Sequence, residues 1–190
     1  MQVFETATRP TRRSSFRAVQ LIDRFTEWTG IVTAWLMVPL VAAVTYEIVA
    51  RYAFAAPTIW SFELTYMLYG AMFMLGAAYA LRVGAHIRTD FFWERWSART
   101  RGIIDSVAYV VFFFPGILLF LWVGWDEAWY AYEMQELSEQ TPWRPVLWPL
   151  KAAIPLAAAL LLLQGCSELA KSLYAAITGS EYEPREKAET

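Results

Sequence analysis

The chain has 190 residues, of which 57% are hydrophobic, 17% aromatic and 18% charged. Soluble domains average about 45–50% apolar residues, so a chain this apolar must keep its charges apart from its apolar stretches, and it does. One cysteine, Cys166, excludes an internal disulfide and a cysteine-built metal site, and one histidine, His86, excludes a bis-histidine haem and a multi-histidine zinc site. The net charge of −2 argues for no particular partner, because in a membrane chain the distribution of charge matters more than its sum.

Residues 1–26 read as a polar N-terminal segment. It holds arginines but no apolar core of the length a cleavable signal peptide needs. Ser14 and Ser15 are candidate helix caps, and Phe16, Val19, Ile22 and Phe25 recur at threes beside Arg17, Asp23 and Arg24. That pattern fits an amphipathic helix in the membrane interface, or an extension of the first span. Ile31–Thr45 is free of charge, and with its flanks it forms span one, about 27–50, with Pro39 expected to kink it.

Span two, about 62–84, has Glu63 at its start, where the helix dipole favours an anion, and Ser61 as candidate N-cap. Small residues seven apart, Gly70, Ala77 and Gly84, with Ala71, Ala78 and Ala85 beside them and a small-xxx-small pair at Gly76 and Ala80, suggest a face for close helix packing in lipid. Five arginines then mark a polar segment, 82–105, in which Phe91-Phe92-Trp93-Glu94-Arg95-Trp96 suits a short interfacial helix. Nucleic-acid stacking also uses such mixtures, but two adjoining spans argue against it.

Span three, about 104–126, holds Pro115-Gly116 at its middle. An acidic, proline-rich stretch follows, with Asp126, Glu127, Glu133, Glu136 and Glu139, then Thr141-Pro142-Trp143-Arg144-Pro145. Span four, about 149–170, has Lys151 near its start, placed to snorkel, Pro155 in its first turns, and Gln164 and Glu168 near its end. Residues 179–190 form a charged tail. The fold class is therefore an all-α integral membrane protein of four transmembrane helices with short interfacial helices, its four-span domain covering 27–178. Thirteen lysines and arginines fall on the side of the termini and the 82–105 segment, against Arg51, Arg144 and Lys151 on the other. The positive-inside rule puts both termini in the cytoplasm.

No catalytic set accompanies the single histidine, so no enzyme is expected. A self-sufficient carrier keeps ionisable or unwound elements near the bilayer midplane, and the span centres carry no charge. Glu47 and Arg51, four apart, share a helix face. They read either as a helix-end anchor, or as a polar contact to a partner or to Glu63 across the turn. Trp60 reads as an aromatic-belt residue or a contact; His86, Arg88 and Asp90 read as a solvated helix end or a functional one.

The run Glu47-x3-Arg51-Tyr52-x-Phe54-x2-Pro57-x2-Trp60-x2-Glu63, followed by His86-Ile87-Arg88-x-Asp90, resembles the small, DctQ-type membrane subunit of tripartite ATP-independent periplasmic (TRAP) transporters. Trp148-Pro149-x-Lys151-x3-Pro155, then Leu163-Gln164-Gly165, Ser167-Glu168-Leu169 and Lys171, resembles the branch associated with 2-oxo acids and related organic acids rather than the sialic-acid branch. The resemblance covers about residues 25–178. It implies a four-span scaffold subunit of the bacterial inner membrane that has no cofactor and holds a large multi-span subunit. That subunit carries the substrate and sodium sites, and a periplasmic substrate-binding protein delivers substrate. It also implies structural or partner-facing roles for Glu47, Arg51, Trp60, Glu63, His86, Arg88 and Asp90. Gly70, Ala77, Lys151 and Gln164 join them as candidates of the same kind. Membrane lipids are expected partners and nucleic acid is not. The acidic outer stretch is a docking candidate for the binding protein. The alternatives are an independent oligomeric channel or carrier, or a membrane anchor of a redox complex.

Overall fold

The computed structural model describes residues 17–84, 96–180 and 182. Among these, six α-helices follow one another: α1 (Arg17–Ala34), α2 (Met37–Phe54), α3 (Ser61–Arg82), α4 (Ala98–Ala108), α5 (Phe114–Glu133) and α6 (Trp148–Thr178), with a π-helical turn, Tyr109–Phe113, joining α4 to α5. They make four continuous stretches long and apolar enough to cross a bilayer: Arg17–Phe54, Ser61–Arg82, Ala98–Glu133 and Trp148–Thr178.

Each interruption has a local cause. Pro39 has no N–H to offer the Trp35 carbonyl four residues back. The Val38 N–H takes that carbonyl instead at 3.1 Å, and Leu36 N–H reaches Thr33 at 3.0 Å, so the helix tightens and breaks at Trp35–Leu36. Residues 17–26 are thus helical and run on into the first span. Pro115 is handled differently: the helix widens ahead of it, and Phe114 N–H bonds the Tyr109 carbonyl five residues back. α2 ends on Ala55 at φ 52°, in the left-handed region, which lets Ala56 N–H reach back to the Ala50 carbonyl at 3.0 Å.

α6 is the centre of the bundle. It buries 44% of its span window, against 11% for each of the other three, and it packs on α5, α3, α4 and α1. Its buried residues are Ala153, Pro155, Ala157, Ala158, Gln164, Gly165, Ser167, Glu168 and Ala175, with no large apolar side chain among them. In lipid the hydrophobic effect does not drive helices together, so close backbone approach and polar bonds do. A Cβ on Gly124 of α5 would stand 2.8 Å from Ile154 Cγ2, and one on Gly30 of α1 would stand 2.6 Å from the Tyr79 ring. Large apolar residues point outward instead: Phe73, Phe112, Leu119, Trp122 and Tyr52 are all more than 65% exposed, as a lipid- or partner-facing surface requires.

Gly70 of the expected packing face meets Leu150 of α6, with 3.1 Å between Leu150 Cδ1 and a built Cβ. Ala77 is half-buried and its neighbour Ala78 is 1% exposed, whereas Gly76 has open space. The acidic stretch divides in two, its first part extending span three as helix and its prolines following in a turn. Its first part, to Glu133, continues α5. Residues 134–147 form a tight hairpin in which Ser138 N–H bonds the Pro145 carbonyl and Leu147 N–H the Glu136 carbonyl, both at 2.9 Å.

Candidate functional site

The polar side chains gather at the two ends of the bundle. At the end holding the α2–α3 turn, Glu47 is the organising residue. Its Oε1 accepts from Arg51, one turn on, and its Oε2 accepts the Thr58 N–H at 3.1 Å and the Thr58 hydroxyl. Thr58 Oγ1 in turn accepts the Ser61 N–H at 3.3 Å. Thr58 therefore caps the start of α3 where the sequence suggested Ser61. The Ser61 hydroxyl instead crosses to the Ala43 carbonyl of α2 at 3.1 Å. Trp60 lies against Tyr46, with ring centroids 5.6 Å apart.

Glu63 is 3% exposed and does not share Arg51 with Glu47; its Oε1 accepts the Thr141 hydroxyl at 2.5 Å. Lys151 lies between two carboxylates, 2.7 Å from Glu127 and 2.5 Å from Glu136. The hairpin is thus tied to α3 through Thr141 and to α6 and α5 through Lys151. Replacing Lys151 with methionine is expected to release it, seen as faster amide hydrogen exchange over 136–147 with α6 unchanged.

The two members of the Glu47–Arg51 pair differ in weight. The Arg51 side chain is 54% exposed and that of Glu47 only 16%. An exposed ion pair contributes about 0–1 kcal/mol, so Arg51→Ala is expected to cost little. Glu47→Ala also removes the acceptor that holds Thr58, and should cost more than Arg51→Ala. Thermal melting of the two purified variants checks the order; equal losses would contradict it.

At the opposite end, α1 meets α6 through a buried polar group that sequence reading did not assemble. Asp23, Gln164, Ser167, Glu168 and Lys171 bond one another, and Glu27 pairs with Arg82 of α3 at 3.2 Å. Of these residues, the sequence reading singled out only Gln164 as a candidate. The signal available was two charges, Asp23 and Lys171, flanking apolar runs 148 positions apart, with nothing local to pair them. His86, Arg88 and Asp90 lie outside the described residues, as do the expected interfacial helix over 91–95 and nearly all of the tail. Among the described residues no three His, Cys, Asp or Glu side chains come together as a metal site.

The fold and these two polar ends define a multi-span helical membrane protein whose described polar side chains mostly join its own helices and turns. A family model described as "Tripartite ATP-independent periplasmic transporters, DctQ component" matches residues 40–174, and the chain belongs to that family. It is similar to the sialic acid TRAP transporter small permease protein SiaQ of Vibrio cholerae serotype O1, with 32% identity over 71 residues. That alignment takes in 37% of this chain and 41% of the relative, less than half of either. The chain is accordingly a small permease component of a TRAP transporter, a multi-pass protein of the inner membrane, and not an enzyme. The redox-anchor alternative falls away with that membership.

Proposed function

We propose that this subunit is a scaffold. It holds a large multi-span TRAP subunit in the membrane while that subunit moves substrate supplied by a periplasmic binding protein, with a sodium gradient as the driving force. The observation that carries the reading is where the polar groups go. Glu47, Glu63, Lys151, Asp23 and Lys171 are all engaged in bonds that join this chain's own helices and turns. A carrier needs polar groups held free for a ligand near the midplane. The apolar outer faces of α2 and α5 supply surface for lipid and for the large subunit.

The substrate class follows from the resemblance: an organic acid, with the 2-oxo acid branch supported by the Trp148-Pro149-x-Lys151-x3-Pro155 pattern. The relative in Vibrio cholerae is named for sialic acid, also an organic acid. With the termini cytoplasmic, the hairpin 134–147 and the exposed Asp126, Glu133 and Glu139 face the periplasm, where a binding protein with a basic surface would meet them.

Co-expression tests the scaffold reading. A tag on this chain is expected to retain a large multi-span membrane protein through detergent purification; recovery of the chain alone, under conditions where the large subunit is present and folded, would contradict it. Orientation is tested separately. In a Cys166→Ser background, Ser180→Cys should react with an impermeant thiol reagent only in inside-out vesicles.

A further inference from the structure

α1 and α2 form one arm, Arg17–Phe54. Within it α2 buries only Ala43 and rests on α3, while α1 packs on both α3 and α6. Apolar surface in lipid gives little preference for one helix register over another, so the arm needs something else to fix its height and rotation. The buried group at the α1–α6 crossing has the required geometry.

Asp23 divides its oxygens. Oδ1 accepts from Gln164 Nε2 at 3.0 Å and from Ser167 Oγ at 2.7 Å, and Oδ2 faces Lys171 Nζ at 2.7 Å. Gln164 and Lys171 also reach Glu168 Oε1, at 3.2 and 3.0 Å. Gln164 and Ser167 are fully buried, Glu168 is 4% exposed and Asp23 9%. The amide of Gln164 can take only one orientation, because turning it over would set its oxygen against two carboxylates. Turning α1 by one residue, about 100°, would carry Asp23 away from three donors together. A buried carboxylate without its partners is strongly disfavoured.

We propose that Asp23, Gln164, Ser167, Glu168 and Lys171 form a register lock that fixes α1, the first half of the arm, in height and rotation on the central helix α6. The lock is a property of this chain and stands apart from the transport role.

The test uses the full-length chain in bilayer nanodiscs, with Cys166→Ser and paired spin labels at Leu21→Cys and Leu156→Cys, both exposed. A reference pair at Leu118→Cys and Ile177→Cys, also exposed, reports α5 against α6. Asp23→Asn, nearly isosteric, and Lys171→Met are each expected to shift and widen the Leu21–Leu156 distance distribution and leave the reference distribution in place. Lys171→Arg should keep the narrow distribution. If either disruptive variant fails to fold, Ser167→Ala removes a single bond and should give a smaller change in the same direction. An unchanged Leu21–Leu156 distribution would overturn the proposal. So would equal widening of both pairs, because the group would then hold the whole bundle rather than α1.

Discussion

Gly102→Ala is expected to be among the most damaging single substitutions in this chain. A Cβ at Gly102 of α4 would lie 2.5 Å from the Ala176 backbone nitrogen and 2.6 Å from the Ser172 carbonyl oxygen of α6. Both are backbone atoms within a helix, so no rotamer change relieves the contact and α4 must move away bodily. Overpacking a fitted site typically costs about 1–3 kcal/mol, and an obstacle made of backbone puts this site at the upper end. Gly165→Ala is milder, because its 2.4 Å obstacle is the Phe113 ring, whose side chain can shift. Gly76→Ala, with nothing within 4 Å, serves as the control and should leave the melting temperature unchanged or slightly raised. Melting curves of the three variants in one detergent test the order, and a Gly102→Ala protein as stable as Gly76→Ala would contradict the close approach of α4 to α6.

The second large effect is expected at Thr141. Its hydroxyl is the side-chain donor to Glu63, a carboxylate only 3% exposed at the first turn of α3. Thr141→Val keeps the shape and removes the donor. The backbone N–H groups at the start of α3 still favour the anion, so the loss should stay within about 1.5–3 kcal/mol, the range for a hydrogen bond to a charged group. Glu63→Gln in the same background should recover part of that loss, because a neutral amide is less costly to bury unpaired. A Thr141→Val variant that melts as the parent does would show that Glu63 draws nothing from the hairpin.

The spans were legible in the sequence because charge segregation is a one-dimensional signal: uncharged runs of bilayer length stand between charged ends. Pro39 was legible as a kink, and its effect falls at Trp35–Leu36, four residues earlier, because the carbonyl that loses its usual donor, and takes Val38 N–H instead, belongs to Trp35. The packing face was harder to locate. Small residues stood out on span two, yet the tightest glycine contacts among the described residues are at Gly165, Gly102, Gly30 and Gly124, and of these only Gly30 meets span two, against the Tyr79 ring. Spacing along one helix does not say which face its neighbours choose. Glu47 and Arg51 were legible as a pair because they are one turn apart. The Thr58 and Thr141 contacts were not, since they depend on a turn and a hairpin whose folding the residue pattern leaves open. Asp23 and Lys171 illustrate the limit, being separated by most of the chain and joined only by the crossing of α1 and α6.

The scaffold account is tested most directly by sodium-gradient-driven uptake of a labelled organic acid, first a 2-oxo acid and then sialic acid, into proteoliposomes, with the matching binding protein added outside. The account predicts no uptake with this chain alone, and uptake when it is reconstituted with its large membrane subunit. Uptake by this chain alone, or undiminished uptake by the large subunit without it, would contradict the account.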